Sequence, residues 1–285
     1  MSALPQLMDP LLQLHGEARA SSEIVLDLSG VRFITPGGVA PFAALIHSVY
    51  EDLPRLHLHA PTDAECCRYL ASSGLLQLLA DVATIHGADV AMGIRPGSAL
   101  NTVLPLTRLS QNADLEDLLT QLELKLDGLL GCSDDTWTET KCRIISAVRE
   151  ICANVFQHAG GTPGWVSAQK YRSSKGNPFL EVSIADSGVG IRRSLADRYP
   201  EFAVADDGDV LVRMVNERLS RHNPARGCGY FTLQEATSKL DGSFRLRSGS
   251  GEVSRARRSR QLVRADGRAA WPGTHLEMRV TCAPD

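Results

Sequence analysis

The chain has 285 residues, 43% of them hydrophobic and 22% charged, which suits about two domains of roughly 150 residues each and excludes disorder as the dominant state. A formal net charge of -3 and a pI near 6.2 argue against a chain that binds nucleic acid or an anionic membrane along its length. No stretch approaches the roughly 18 uninterrupted apolar residues of a membrane-spanning helix, and no membrane partner is expected.

The first 15 residues are apolar-rich but contain Asp9 and carry no leading positive charge, so they make a poor signal peptide. Ser22–Gly30 is a β-branched apolar run closed by glycine and predicts a buried strand. Thr35-Pro36-Gly37-Gly38 punctuates the chain, and Val39–Val49 follows with helical periodicity. A second strand, Arg55–Ala60, and a second helix, Asp63–Leu79, complete a β-α-β-α pattern. Residues 84 to 112 carry Gly, Pro and Ser without a firm period, which places a domain boundary there. Asp114–Leu130 predicts a helix with Leu115, Leu118, Leu119, Leu122 and Leu126 on one face. Asp135–His158 predicts a second long helix, stopped by Gly160-Gly161. Gly164–Tyr171 and Phe179–Ala185 read as a hairpin, Gly229–Leu240 as a helix, and Ser243–Ser248 and Thr274–Thr281 as strands around an Arg-rich insertion. The seven cysteines are an odd number, and Cys66–Cys67 are adjacent, which suits neither a disulfide framework nor a metal clip. Cys142 and Cys152 read as small buried hydrophobes. A reduced, cytoplasmic setting is expected.

Glu150, Asn154 and His158 stand four apart in E-I-C-A-N-V-F-Q-H and so share one helical stripe. Alone, such a stripe reads first as an exposed polar face, and a functional reading needs a second element nearby. Asp186-Ser187-Gly188-Val189-Gly190 follows a strand directly, where a carboxylate can accept from an exocyclic amine and glycines let the backbone approach a ligand. The same pattern also describes a common tight turn. Arg226-Gly227-Cys228-Gly229 opens a helix, whose free N–H groups and positive dipole end suit phosphate. Gly273-Thr274 enters the last strand.

Taken in order, these four motifs resemble the GHKL (Bergerat-fold) ATP-binding family over residues 112–285. The resemblance implies an α/β sandwich that takes ATP and Mg²⁺. It implies that Asn154 gives an oxygen to Mg²⁺, with His158 in the same box, that Asp186 reads the adenine amine with Thr274 in support, and that Gly188 and Gly190 shape the base pocket. Gly227 and Gly229 would wrap the triphosphate, Glu150 would orient a water or an acceptor hydroxyl, and Arg192–Arg226 would be a mobile lid. The acidic run Asp206-Asp207-Asp209 within it reads as solvated surface. No histidine in a phosphoacceptor setting precedes this domain, so an autophosphorylating histidine kinase is not expected.

The stretch I-V-L-D-L-S-G-V-R-F-I-T-P-G-G-V-A-P-F-A-A-L-I resembles the STAS domain of anti-sigma-factor antagonists over about residues 20–83. Gly37 stands where that family carries a phosphorylatable serine, so the switch is expected to be lost, with Thr35 reading as a helix cap. The expected architecture is therefore α/β throughout: a STAS-like protein-interaction domain over 1–83, a linker over 84–111 and an ATP-binding domain over 112–285. Arginines 255, 257, 258, 260, 264 and 268 read as a solvated loop rather than a nucleic-acid patch, since no aromatics interleave them. The resemblance leaves open three activities: hydrolysis of ATP, serine or threonine phosphorylation of a partner, and non-catalytic, nucleotide-dependent interaction. A protein partner and a homodimer are both compatible with it.

Overall fold

The computed structural model describes residues 23–49, 55–130, 135–173, 176–217, 219, 229–265 and 269–281. It is a mixed α/β structure with one parallel and one antiparallel sheet. The parallel sheet has the order β1–β2–β3, from Ile24–Asp27, Leu56–His59 and Ala83–His86. The chain between these strands forms α1 (Pro36–Val49), α2 (Ala64–Ser73) and α3 (Leu75–Ala80). The single helix expected over Asp63–Leu79 is thus two. Gly74 takes a left-handed conformation (φ 90°), and its N–H closes α2 onto Ala71 and Leu70 carbonyls.

The span 84–111, expected to be a linker, holds structure of both sheets. It completes β3, and it supplies β4 (Thr102–Leu109), an edge strand of the seven-stranded antiparallel sheet. Val103, Leu104 and Leu109 are buried there; the prolines and glycines between the elements concealed the strand's alternation. The chain continues through α4 (Asn112–Leu130), α5 (Asp135–His158), β5 (Gly164–Arg172), β6 (Pro178–Asp186), α6 (Ile191–Ala196), α7 (Asp207–Glu217), α8 (Gly229–Lys239), β7 (Ser243–Gly249), β8 (Gly251–Arg255), β9 (Val263–Ala265) and β10 (Trp271–Thr281). The sheet order is β4–β5–β6–β10–β7–β8–β9.

Period-two alternation splits this sheet into two faces. Leu180, Val182 and Ile184 of β6 and Leu276, Met278 and Val280 of β10 join the buried leucines of α4, Ile151 and Val155 of α5, and Leu233 of α8 in one core. The intervening residues face the other way, onto α1. Residues 38–46 of α1 are all buried, as befits a helix apolar all round. Val39, Phe42 and Leu45 share a second core with Ile24, Leu26, Leu56 and Leu58 of the small sheet and with Trp165, Ala185 and Trp271 of the large one. The N-terminal unit therefore forms a cover over the large sheet rather than a detached domain. Cys152 is buried as expected, but Cys142 is exposed on the outward side of α5.

Candidate functional site

Asp186 ends β6, flanked by β5 and β10, with Gly164 and Thr274 as its register partners. It is 5% exposed. Its Oδ1 accepts the Gly188 N–H at 2.9 Å, closing the turn within three residues, and its backbone carbonyl accepts Trp271 Nε1–H at 3.1 Å. Burial raises the carboxyl from its ordinary 3.8 to about 6, against the opposing pull of backbone N–H groups from Gly188 and Thr274.

Three distant segments meet at this carboxyl. A Cβ on Gly188 would lie 2.6 Å from the carbonyl carbon of Ala159, at the end of α5, and one on Gly273 would lie 2.5 Å from the Gly188 nitrogen. No side chain fits either position, so the glycines are a condition of the approach. Ser248 of β7 ties the segments together, donating its hydroxyl to the Gly273 carbonyl at 2.7 Å and accepting the Ile191 N–H at 2.9 Å. Gly190 precedes Ile191 at φ 76° as the residue leading into α6. Asp186, Gly188, Gly190 and Thr274 thus lie together.

On α5, Glu150 and Asn154 are both half-buried. The Asn154 Nδ2 is enclosed, with no hydrogen-bond partner among the described residues. The side chain of His158 and the whole of Gly227 lie outside the described residues; Gly229 is the first residue of α8. Tyr230, given no role in the sequence reading, follows it. Its half-buried ring packs against the larger core, and burial together with the charge of Asp186 raises its hydroxyl well above the ordinary tyrosine range. Its position directly after Gly227-Cys228-Gly229 in the sequence was the available signal.

The expected mobile lid is folded over much of its length. Phe202 is buried, and α7 packs on β8. Asp207 accepts from Arg192 Nε at 2.7 Å and from the Ser250 N–H and hydroxyl at 2.9 and 3.0 Å. Arg264 pairs with Asp206 at 2.7 Å and with Asp209. The acidic run is both solvated and paired: Asp206 and Asp209 are exposed, as expected, Asp207 is half-buried, and arginines from β9 and α6 reach the run from across the fold. Among the described residues, no group of three or more His, Cys, Asp or Glu side chains is set to hold a metal. The Arg-rich segment is likewise engaged: Arg255 reaches Ser238, Thr237 and the Gln234 carbonyl, and Arg257 and Arg258 pair with Asp241. Arg268 lies outside the described residues.

At the start of α1, Thr35 is 3% exposed, and its carbonyl accepts the Gly38 and Val39 N–H groups. Its hydroxyl serves Glu181 on β6 instead of capping the helix. Glu181 is 1% exposed, accepts the Gly37 N–H at 3.2 Å, and pairs with Arg279 Nε at 2.9 Å. Burial and the neighbouring Glu277 raise its carboxyl above the ordinary range, with Arg279, Thr35 and Gly37 opposing. A carboxylate from the large sheet thus occupies the positive end of α1.

Comparison with protein families, with curated proteins and with solved structures found no match. No helix among the described residues is long and apolar enough to cross a membrane.

Proposed function

We propose that the chain is an ATP-binding regulatory protein of GHKL type, with a STAS-like unit covering the back of its nucleotide-binding sheet. The observation that carries the reading is the Asp186 carboxyl, buried at a strand end where Gly188 and Gly273 let the backbone close in around it. A carboxylate held at such a desolvation cost is characteristic of a site awaiting a hydrogen-bond donor, and the exocyclic amine of adenine supplies one. The enclosed Asn154 amide has no hydrogen-bond partner at Nδ2 among the described residues. A phosphate oxygen satisfies its N–H, and its carbonyl oxygen suits a hard cation such as Mg²⁺. The residues therefore fit Mg-ATP.

In this reading Asp186 orients the base, with Thr274 supporting the carboxyl. Gly188 and Gly190 would shape the turn beside the base, and Gly229 at the start of α8 would present its N–H to the phosphates; Gly227, its expected companion, lies outside the described residues. Bound Mg²⁺ would neutralise charge developing on the triphosphate. Glu150, one helical turn before Asn154, would polarise the acceptor, either water or a hydroxyl of a partner protein. The chain's own Thr35 is a poor acceptor because it is enclosed under Glu181. That burial favours hydrolysis or phosphorylation in trans, with protein contacts and any self-association made through exposed surfaces instead of the Thr35–Gly38 loop.

The test is calorimetry with ATP and Mg²⁺ on the wild type and Asp186→Asn, followed by γ-labelled ATP scored as free phosphate against labelled protein. The expected outcome is binding that Asp186→Asn weakens by about 2 kcal/mol or more. Equal affinity in the two proteins would overturn the adenine-reading role. Binding without turnover would leave a nucleotide-dependent interaction module.

A further inference from the structure

The outer face of the parallel sheet carries chemistry that the nucleotide reading does not use. Parallel sheets are ordinarily covered on both faces. Here the inward residues Ile24, Leu26, Leu56 and Leu58 are buried, while Val25, Asp27, His59, Thr84 and His86 are exposed and His57 is half-buried. In register, Asp27 lies beside His59 and His59 beside His86, with His57 two residues earlier on the same strand face.

Three imidazoles consequently share one patch. His57 Nδ1 and His86 Nε2 are 3.1 Å apart, with ring centroids at 5.4 Å and planes within 12°. The His59 ring stacks on His86 at 5.1 Å. Glu23 Oε1 lies 2.9 Å from His57 Nε2, with side-chain exposures of 56% and 26%. By accepting the Nε2 proton, Glu23 leaves the His57 Nδ1 lone pair turned toward His86, the arrangement in which a carboxylate fixes the tautomer of a metal-binding histidine.

We propose that His57 and His86, completed by His59 and oriented by Glu23, form a surface site for a borderline divalent transition metal such as Zn²⁺, Ni²⁺ or Cu²⁺. Metal–imidazole bonds of about 2.0–2.1 Å place adjacent ligand nitrogens about 2.9–3.4 Å apart, which brackets the observed His57–His86 separation. A metal would stand between the two nitrogens, and the rings would tilt to aim both lone pairs at it. Among the described residues no three such groups converge on one point; the His57 and His86 nitrogens are the two that already stand close. His59 turns about its side-chain torsions to supply the third, and water completes the shell. An all-imidazole set without thiolate favours these ions over Mg²⁺ or Ca²⁺, which require oxygen. The proposal is independent of nucleotide binding. Its structural consequence is a cross-link between β2 and β3.

The experiment uses the full chain stripped with EDTA and titrated at pH 7.5 with ZnCl₂, NiCl₂, CuCl₂ and, as control, MgCl₂. One equivalent of at least one transition metal is expected to bind at micromolar or lower concentration, with no heat from MgCl₂. Binding should weaken more than tenfold in His57→Ala and in His86→Ala, and by about 10–100-fold in Glu23→Gln. The wild type should gain thermal stability on metal addition. Circular dichroism establishes that each variant is folded; should His86→Ala fail, His86→Gln replaces it. The chain has eight histidines, so a tight equivalent unchanged in both His57 and His86 variants would assign the metal elsewhere and overturn the proposal. Affinities weaker than 100 µM for all three metals would do the same.

Discussion

The buried carboxyl of Asp186 makes a stability prediction that tests the site without any ligand. A carboxyl whose proton affinity is raised on folding favours the folded state at low pH, and that contribution is lost as pH rises through the folded value. The rise from 3.8 to about 6 corresponds, at about 1.4 kcal/mol per tenfold change in proton affinity, to about 3 kcal/mol. Above pH 6 the nucleotide-free wild type therefore carries this penalty, and Asp186→Asn does not. Asparagine is nearly isosteric and keeps an oxygen for the Gly188 N–H. The variant should be the more stable protein, by about 1.5 kcal/mol at pH 5 and about 3 kcal/mol at pH 7.5. Urea denaturation of both proteins at the two pH values measures the gap. Glu181 is raised in the same direction, but it is common to both proteins and cancels in the difference. A gap that does not widen with pH, or a variant less stable at pH 7.5, would refute the assignment of Asp186 as a desolvated, functionally retained charge.

Gly188→Ala would drive a methyl group into the Ala159 carbonyl and should destabilise by about 1–3 kcal/mol in the same denaturation assay. Under the proposed function, Glu150→Ala should bind Mg-ATP normally while turnover falls about 100-fold, and Asn154→Ala should lose the Mg²⁺-dependent part of the affinity; calorimetry and phosphate release separate the two. Arg279→Met would leave Glu181 buried without its cation and should cost about 3 kcal/mol, read as a lower urea midpoint. Incubation with Mg-ATP should leave Thr35 unmodified by mass spectrometry, since its hydroxyl is enclosed. Deleting residues 1–83 should expose Trp165 and Trp271, which pack in the same core as α1, giving a protein that aggregates or melts at lower temperature.

Much of the candidate site was legible along the chain because its geometry is local. The Asp186 turn closes on Gly188 two residues away, and the leucine face of α4 and the β5–β6 hairpin follow from periods of 3.6 and 2. Those signals depend only on neighbours in sequence, so their spacing carries them. The sequence could not say which partner a polar group would find. Gly37 and Glu181 are 144 positions apart, and Arg264 and Asp206 are 58; the first pairing buries the loop whose switch was expected to be lost, and the second anchors part of an expected lid. The histidines of β2 and β3 scatter among ordinary surface positions until strand register sets His59 beside His86. The amino-acid order determined the elements and the chemistry each could bring. Tertiary packing decided which of those groups are desolvated, which are paired and which are open to a ligand, because burial and charge pairing depend on distances in space that no sequence spacing encodes.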